Sequence, residues 1–132
     1  MATIEEAVVD RMMAYTALTT LIAARLYPLV IPQDAPLPAI AYQKISSPKT
    51  QAHPGSSHLA HSRFQFTIDA ETYSSAKAVA TAVKNCWNSF QGTVDGVRID
   101  HCSIENDSDT SGERQAVVTP VVRIDVLMWH YE

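Results

Sequence analysis

The chain has 132 residues, enough for one domain, and a domain of that size buries roughly 65–70% of the surface its unfolded chain exposes, without a disulfide or metal. A formal net charge of -4 with ten scattered Lys and Arg residues excludes the clustered positive charge of a nucleic-acid binder. The opening Met1-Ala2-Thr3-Ile4-Glu5-Glu6 has neither the basic nor the apolar region of a cleavable signal, and no apolar run approaches the roughly 18–20 residues of a bilayer span. Charged residues make up 18% of the chain, slightly low for a globular protein, which leaves neutral surface to bury against partners.

The first element predicted is a helix. Thr3 and Glu6 form a capping box, and Ile4, Val8, Met12 and Tyr15 follow at helical spacing. A second short helical piece carries Leu18, Leu21 and Ile22, with Thr16 as its cap, and must end before Pro28. The stretch Arg25 to Pro32 holds two prolines in a short span, which excludes helix and central strand and leaves extended, edge-like chain. A proline-rich connection, Gln33 to Pro38, leads to a strand over Ala39–Ser46. There Ile40, Tyr42 and Lys44 face one way and Ala41, Gln43 and Ile45 the other. The polar segment at about 47–60, with Pro48, Pro54 and Gly55, reads as a long flexible loop of the functional kind.

Phe64, Phe66 and Ile68 alternate with Arg63, Gln65, Thr67 and Asp69, the pattern of a strand with one buried and one polar face. Thr72 or Ser74 caps the strongest helix, whose stripe runs Ala76, Val79, Ala80, Val83, Cys86, Trp87, Phe90, with Gly92 as its stop. Asp95-Gly96 signals a tight turn. The apolar phase then shifts between His101 and Cys102, which predicts a bulge. Glu105 to Gly112 reads as an acidic loop, and Ala116 to Trp129 as a last strand bent or edged at Pro120. The expected fold is a single α+β domain: an antiparallel sheet of about four to five strands with two main helices packed on one face.

Candidate chemistry is sparse. His53, His58 and His61 cluster without a Cys or carboxylate at ligand spacing, so no metal site is expected there. Asp107 to Gly112 matches the first half of an EF-hand loop, but the twelfth position, which should be a bidentate Glu, is Val118. Cys102 and His101 are adjacent and so point to opposite faces of a strand. No nucleophile elbow or phosphate-cradling glycine loop is present. Cys86 and Cys102 read as reduced thiols of a protein made in a cytoplasm. The expectation is a protein with no enzymatic role, no cofactor and no metal.

The order of pieces carries a resemblance. Arg25-Leu26-Tyr27-Pro28, then Ile31-Pro32-Gln33 to Pro38-Ala39-Ile40-Ala41-Tyr42 and Ile45-Ser46, then the Arg63 to Ala70 strand, the Tyr73, Ala76, Val79 helix and a final strand ending Val126-Leu127-Met128-Trp129 resemble the phage tail completion and tail terminator family. The likeness spans about Leu18 to Trp129. Ile68-Asp69 departs from it by standing in the reverse order of the family's strand, and the first helix is generic. The resemblance implies a virion structural protein at the head–tail junction of a long-tailed phage or prophage, made in the cytoplasm of a bacterial host. It implies a homo-hexameric ring capping the tail tube, partnered by the tube protein and a head-completion connector, with DNA only passing through the lumen. Lys49, Gln51, His53, His58, His61, Arg63 and Gln65 are the expected contact residues. The competing expectation is a small oligomeric α+β module that grips a ligand or peptide on its sheet.

Overall fold

The computed structural model describes residues 3–46, 59–114 and 116–131. Helix α1 (Ile4–Ala14) begins at Thr3, whose hydroxyl accepts from the Glu6 N–H at 3.3 Å. The capping box is half formed, because the Glu6 carboxylate takes the Thr3 hydroxyl at 3.4 Å instead of the Thr3 N–H. Helix α2 (Thr16–Ile22) includes Thr16 as its first residue. The cap is Tyr15, without a side-chain bond, so Thr16 does not cap as expected.

The chain then lays down β1 (Leu26–Pro28), β2 (Ala39–Ser46) and β3 (Leu59–Asp69), crosses the sheet as α3 (Tyr73–Trp87), and returns as β4 (Gly92–Val94), β5 (Val97–Arg114) and β6 (Val117–Tyr131). The sheet has six strands in the order β1-β2-β3-β6-β5-β4. The α+β class holds with α2 as the short helical piece beside the two main helices, but the sheet exceeds the expected four to five strands. The extra strands are the short edges β1 and β4, three residues each, too brief to show a period in sequence. One pair is parallel rather than antiparallel: β1 runs alongside β2, with Leu26 opposite Ile40. Pro28 sits on this edge strand, as its missing N–H requires.

Strand β3 starts at Leu59, so the segment expected to be a loop gives up its last two residues to the sheet, and Ala60 is buried opposite His130. The rest of that segment, 47–58, lies outside the described residues. Helix α3 is capped by the Thr72 hydroxyl, which accepts from Ser75 N–H at 3.1 Å. It stops at Trp87 and not at Gly92, because Ser89 already takes the left-handed conformation (φ 58°) and turns the chain. Asp95 and Gly96, at φ 52° and 82°, make the expected tight turn between Val94 and Val97. The predicted bulge is present between Ile99 and His101, and a second lies between Ile104 and Asn106.

The expected acidic loop does not exist. Glu105 to Gly112 belongs to β5 and pairs residue by residue with β6, from Asn106↔Asp125 to Gly112↔Thr119. Asp107 and Asp109 reach the helix side of the sheet, where α3 supplies lysines. Lys84 Nζ meets Asp107 at 2.7 Å, and Lys77 Nζ meets Asp109 at 2.8 Å. The Lys77 hydrogen bond, then that of the Tyr73 hydroxyl, holds the Asp109 carboxyl below its ordinary value, and the Asp109 bond holds Lys77 above its own. These aspartates are therefore not free to serve as calcium ligands.

One face of the sheet carries the core. Phe64, Phe66 and Ile68 of β3, Val122, Ile124, Val126 and Met128 of β6, and Ile99 and Cys102 of β5 are buried under Val79, Val83, Cys86 and Trp87 of α3, with Val8, Met12, Leu18 and Ile22 from the first two helices. Trp87 stacks on Phe66 with centroids 6.5 Å apart and meets Phe90 edge-on at 5.9 Å. Arg11 of α1 lies 3.5 Å from the Phe90 ring centroid and donates to the Cys86 carbonyl at 2.7 Å. A cation is thus set at the carbonyl end of α3, where the helix dipole favours it. Lys44 of β2 pairs with Glu5 of α1 at 2.6 Å; partial burial opposes the Glu5 charge, but Lys44 outweighs it and holds that carboxyl below its usual value. Phe66 touches the aromatic stack from beneath, so Phe66→Ala is expected to cost about 3–5 kcal/mol, read as a lower denaturant midpoint at unchanged slope.

Candidate interaction surface

The strict alternation of β3 and β6 turns their odd-numbered side chains to the face without helices. Three of the expected contact residues, His61, Arg63 and Gln65, meet there. The other four, Lys49, Gln51, His53 and His58, lie outside the described residues. Across the ladder, His61 is opposite Trp129, Arg63 opposite Leu127 and Gln65 opposite Asp125.

The His61 and Trp129 rings stack at 4.5 Å. Gln65 Nε2 donates to Asp125 at 3.2 Å, and Arg63 approaches the other Asp125 oxygen at 3.5 Å and Glu105 at 3.9 Å. Ser103 donates to Glu105 at 3.1 Å. At the end of the sheet the Arg98 guanidinium lies 5.4 Å from the Tyr131 ring centroid. Pairs this exposed contribute about 0–1 kcal/mol each to stability. Their consequence is geometric, because each long side chain is held flat against the sheet by a partner on the next strand. The result is a mixed patch of stacked rings and compensated charge.

Alternation within β3 makes His61, Arg63 and Gln65 legible from sequence. Asp125, Glu105 and Trp129 were missed as their partners, since only the β3–β6 and β5–β6 registers bring them into reach. The signal for Trp129 was the odd-numbered spacing of Asp125, Leu127, Trp129 and Tyr131 in the last strand. His130, between two of these, turns inward instead: it is buried, with its Nε2 2.7 Å from the Ser62 hydroxyl.

The thiols lie on the opposite side of the sheet. Burial pushes Cys86 up to about 11 and Cys102 up to about 12, more than the nearby Arg11 charge can offset. Both stay protonated and shielded at neutral pH, which is not the state of a nucleophile. Among the described residues, no group of three or more His, Cys, Asp or Glu is arranged to hold a metal ion.

What the chain offers on this face is surface rather than reaction chemistry, and its fold is one found inside a virion. A chain of the native gene transfer agent particle superposes with a TM-score of 0.70 over 95% of this chain and 92% of that one, at 17% identity. The model of the family described as tail completion protein gp17 matches residues 6–128. The chain belongs to that family and is a structural protein of phage tails. No curated protein matches it.

Arg63 is the central charge of the patch, and its ion pairs are with Asp125 and Glu105 on the sheet surface. Arg63→Ala is expected to shift stability by less than about 1 kcal/mol in thermal or chemical unfolding.

Proposed function

We propose that this chain is a tail terminator, or head-to-tail joining protein. Six copies form a ring on the end of the tail tube, stop its growth and present the docking surface for the head connector. Membership of the tail completion family across residues 6–128 carries the proposal. The polar, half-buried patch around Arg63, His61 and Trp129 supports it, since a closed ring needs surface that is stable in water before assembly and buried after it. The ring's partners are further copies of itself, the tube protein and the head-completion connector. DNA only passes through the lumen, which suits a chain of net charge -4. The protein acts at the head–tail junction of the virion after synthesis in the host cytoplasm. No helix among the described residues is long and apolar enough to cross a membrane.

Native mass spectrometry of the protein, free and mixed with tail tubes, tests the ring, with negative-stain images of the tube ends. A six-subunit ring, free or formed on the tube, is the expected result. A stable dimer that never decorates tubes would sink the proposal and favour a small oligomeric module that grips a ligand or peptide on its sheet, for which the stacked His61 and Trp129 rings would be the platform.

Lys49, Gln51, His53 and His58 are proposed, with His61, Arg63 and Gln65, as contacts in the assembly, and the segment holding the first four as the one that meets the tube. Removing residues 49–57 is expected to leave the unfolding transition in place, because the segment is polar and its sequence holds no large apolar side chain, and to abolish tail joining. Infectious particles from the deletion variant would refute this assignment.

A further inference from the structure

The half of β5 beyond its second bulge is ordered without a core of its own. Glu105 to Ser111 are all exposed. The inner edge of this half is the ladder to β6. No described strand lies against its outer edge: β4 covers only Val97 to Ile99, and the Ser89 N–H reaches the Cys102 carbonyl at 3.2 Å. A strand that buries so little stands at the low end of local stability. Its position has a consequence, because the ladder of β6 to β3 ends at Val121. The β5–β6 hairpin runs on from there to a tip where Val117 and Val118 are 61% and 70% exposed.

In place of packing, this half has a strap from α3. Lys84 Nζ donates to Asp107 at 2.7 Å. Lys77 Nζ and the Tyr73 hydroxyl donate to the two oxygens of Asp109, at 2.8 and 2.5 Å. Lys77 Nζ also lies 5.4 Å from the Tyr73 ring centroid, so the ring and the carboxylate hold one cation between them. On β6 the ladder partners of Asp107 and Asp109 are Ile124 and Val122, which carry no charge. Lys77, then Tyr73, keeps the Asp109 carboxyl below its ordinary value, with Lys84 adding to the effect. Asp109 is therefore fully charged at neutral pH, and dissolved salt rather than pH is the lever on these contacts.

The spacing of the groups makes the strap compliant. Lys77 and Lys84 are about 10 Å apart along the helix axis, whereas Asp107 and Asp109 are about 7 Å apart along the strand. The rotatable lysine stems absorb the difference, and each ammonium acts as a point charge without a fixed fork geometry. The four charged side chains are 31–40% exposed. Salt weakens pairs of that kind, since the Debye length falls from about 10 Å at 0.1 M to about 3 Å at 1 M.

We propose that Tyr73, Lys77 and Lys84 form a salt-released strap, which sets how often the outer half of β5, Asn106 to Gly112, opens from β6 and how firmly the Val117–Val118 tip is held. The ladder to β6 orders this half, and the strap sets the depth of that order. Low salt keeps the strap closed. Rising salt loosens this half alone, hinged at the bulge between Ile104 and Asn106, while β3 and β6 stay paired. The residues involved are distinct from those of the helix-free patch, and the device does not depend on the ring.

Amide exchange of the whole protein, followed by NMR at neutral pH in about 0.05 M and about 1 M sodium chloride, tests the strap. The reporters are Ser108 and Thr110. The Pro120 carbonyl accepts from Ala70 at 3.3 Å, so Pro120 faces β3 and its ladder partner Ser111 faces away from β6; Thr110 and Ser108, in the alternate phase, bond to β6. The expected result is about tenfold faster exchange at these two amides in high salt, with Phe64 and Phe66 of β3 unchanged. The Lys77→Gln, Lys84→Gln double variant is expected to exchange fast already in low salt and to respond to salt by less than about twofold. The Asp107→Asn, Asp109→Asn double variant, which removes the other half of each pair, is expected to match it. Protected Phe64 and Phe66 amides show in the same spectra that each variant is folded. The proposal is overturned if salt does not quicken Ser108 and Thr110 in the native protein, or if either folded variant responds to salt as the native protein does. It is equally overturned if Phe64 and Phe66 quicken in step with β5, because the opening is then that of the whole domain.

Discussion

The pairing of β3 with β6 is the constraint on which the rest of the structure depends. It runs without a register break from Leu59↔Tyr131 to Asp69↔Val121. Along both strands even-numbered residues face the helices and odd-numbered ones face away. A slip of one residue would send Phe64, Phe66 and Ile68 to solvent and bury Arg63, Gln65 and Thr67. The aromatic stack below Trp87 and the Arg63–Asp125–Gln65 network above are two sides of one register, so the core and the polar patch cannot be varied independently along these strands.

Strand β5 departs from that regularity twice, and both departures have consequences. The bulge before His101 returns Cys102 and Ile104 to the helix face after Ile99. The bulge before Asn106 then brings Asp107 and Asp109 to the same face, where Lys84, Lys77 and the Tyr73 hydroxyl of α3 reach them. The far half of β5 is therefore tied to the helix by ion pairs and the Tyr73 hydrogen bond. Such pairs are individually weak, and the continuous ladder to β6 supplies the order they lack.

This explains what was and was not legible in the sequence. Thr72 and the apolar stripe of α3, the alternation of β3, the Asp95-Gly96 turn and the first bulge each leave a local mark: a cap, a period, a turn pair, a change of phase. Asp107 to Gly112 leaves none, because a strand whose inward residues are salt-bridged acids has no hydrophobic period, and its composition matches that of a loop. The end of α3 was misplaced because Ser89, not Gly92, takes the left-handed conformation, and a serine there gives no signal. The candidate surface was visible on one strand only: Arg63 and Gln65 could be named from their own alternation, while Asp125 and Trp129 required a register set about sixty residues away in the chain. The family was legible in the joint order of short pieces from Leu18 to Trp129, none of them specific alone.

The inequality of the sheet's two edges bears on how such a chain assembles. A self-complementary edge would permit two-fold pairing, which closes at two copies. Here the β1 edge is closed by Pro28 and local backbone bonds, and along the β5 edge Asp107 and Asp109 are tied to Lys84 and Lys77 of α3. On the helix-free face the charges are compensated within the chain and the His61 and Trp129 rings are already stacked. A surface of that kind needs little reorganisation when covered, which is what the proposed ring would require of its subunit.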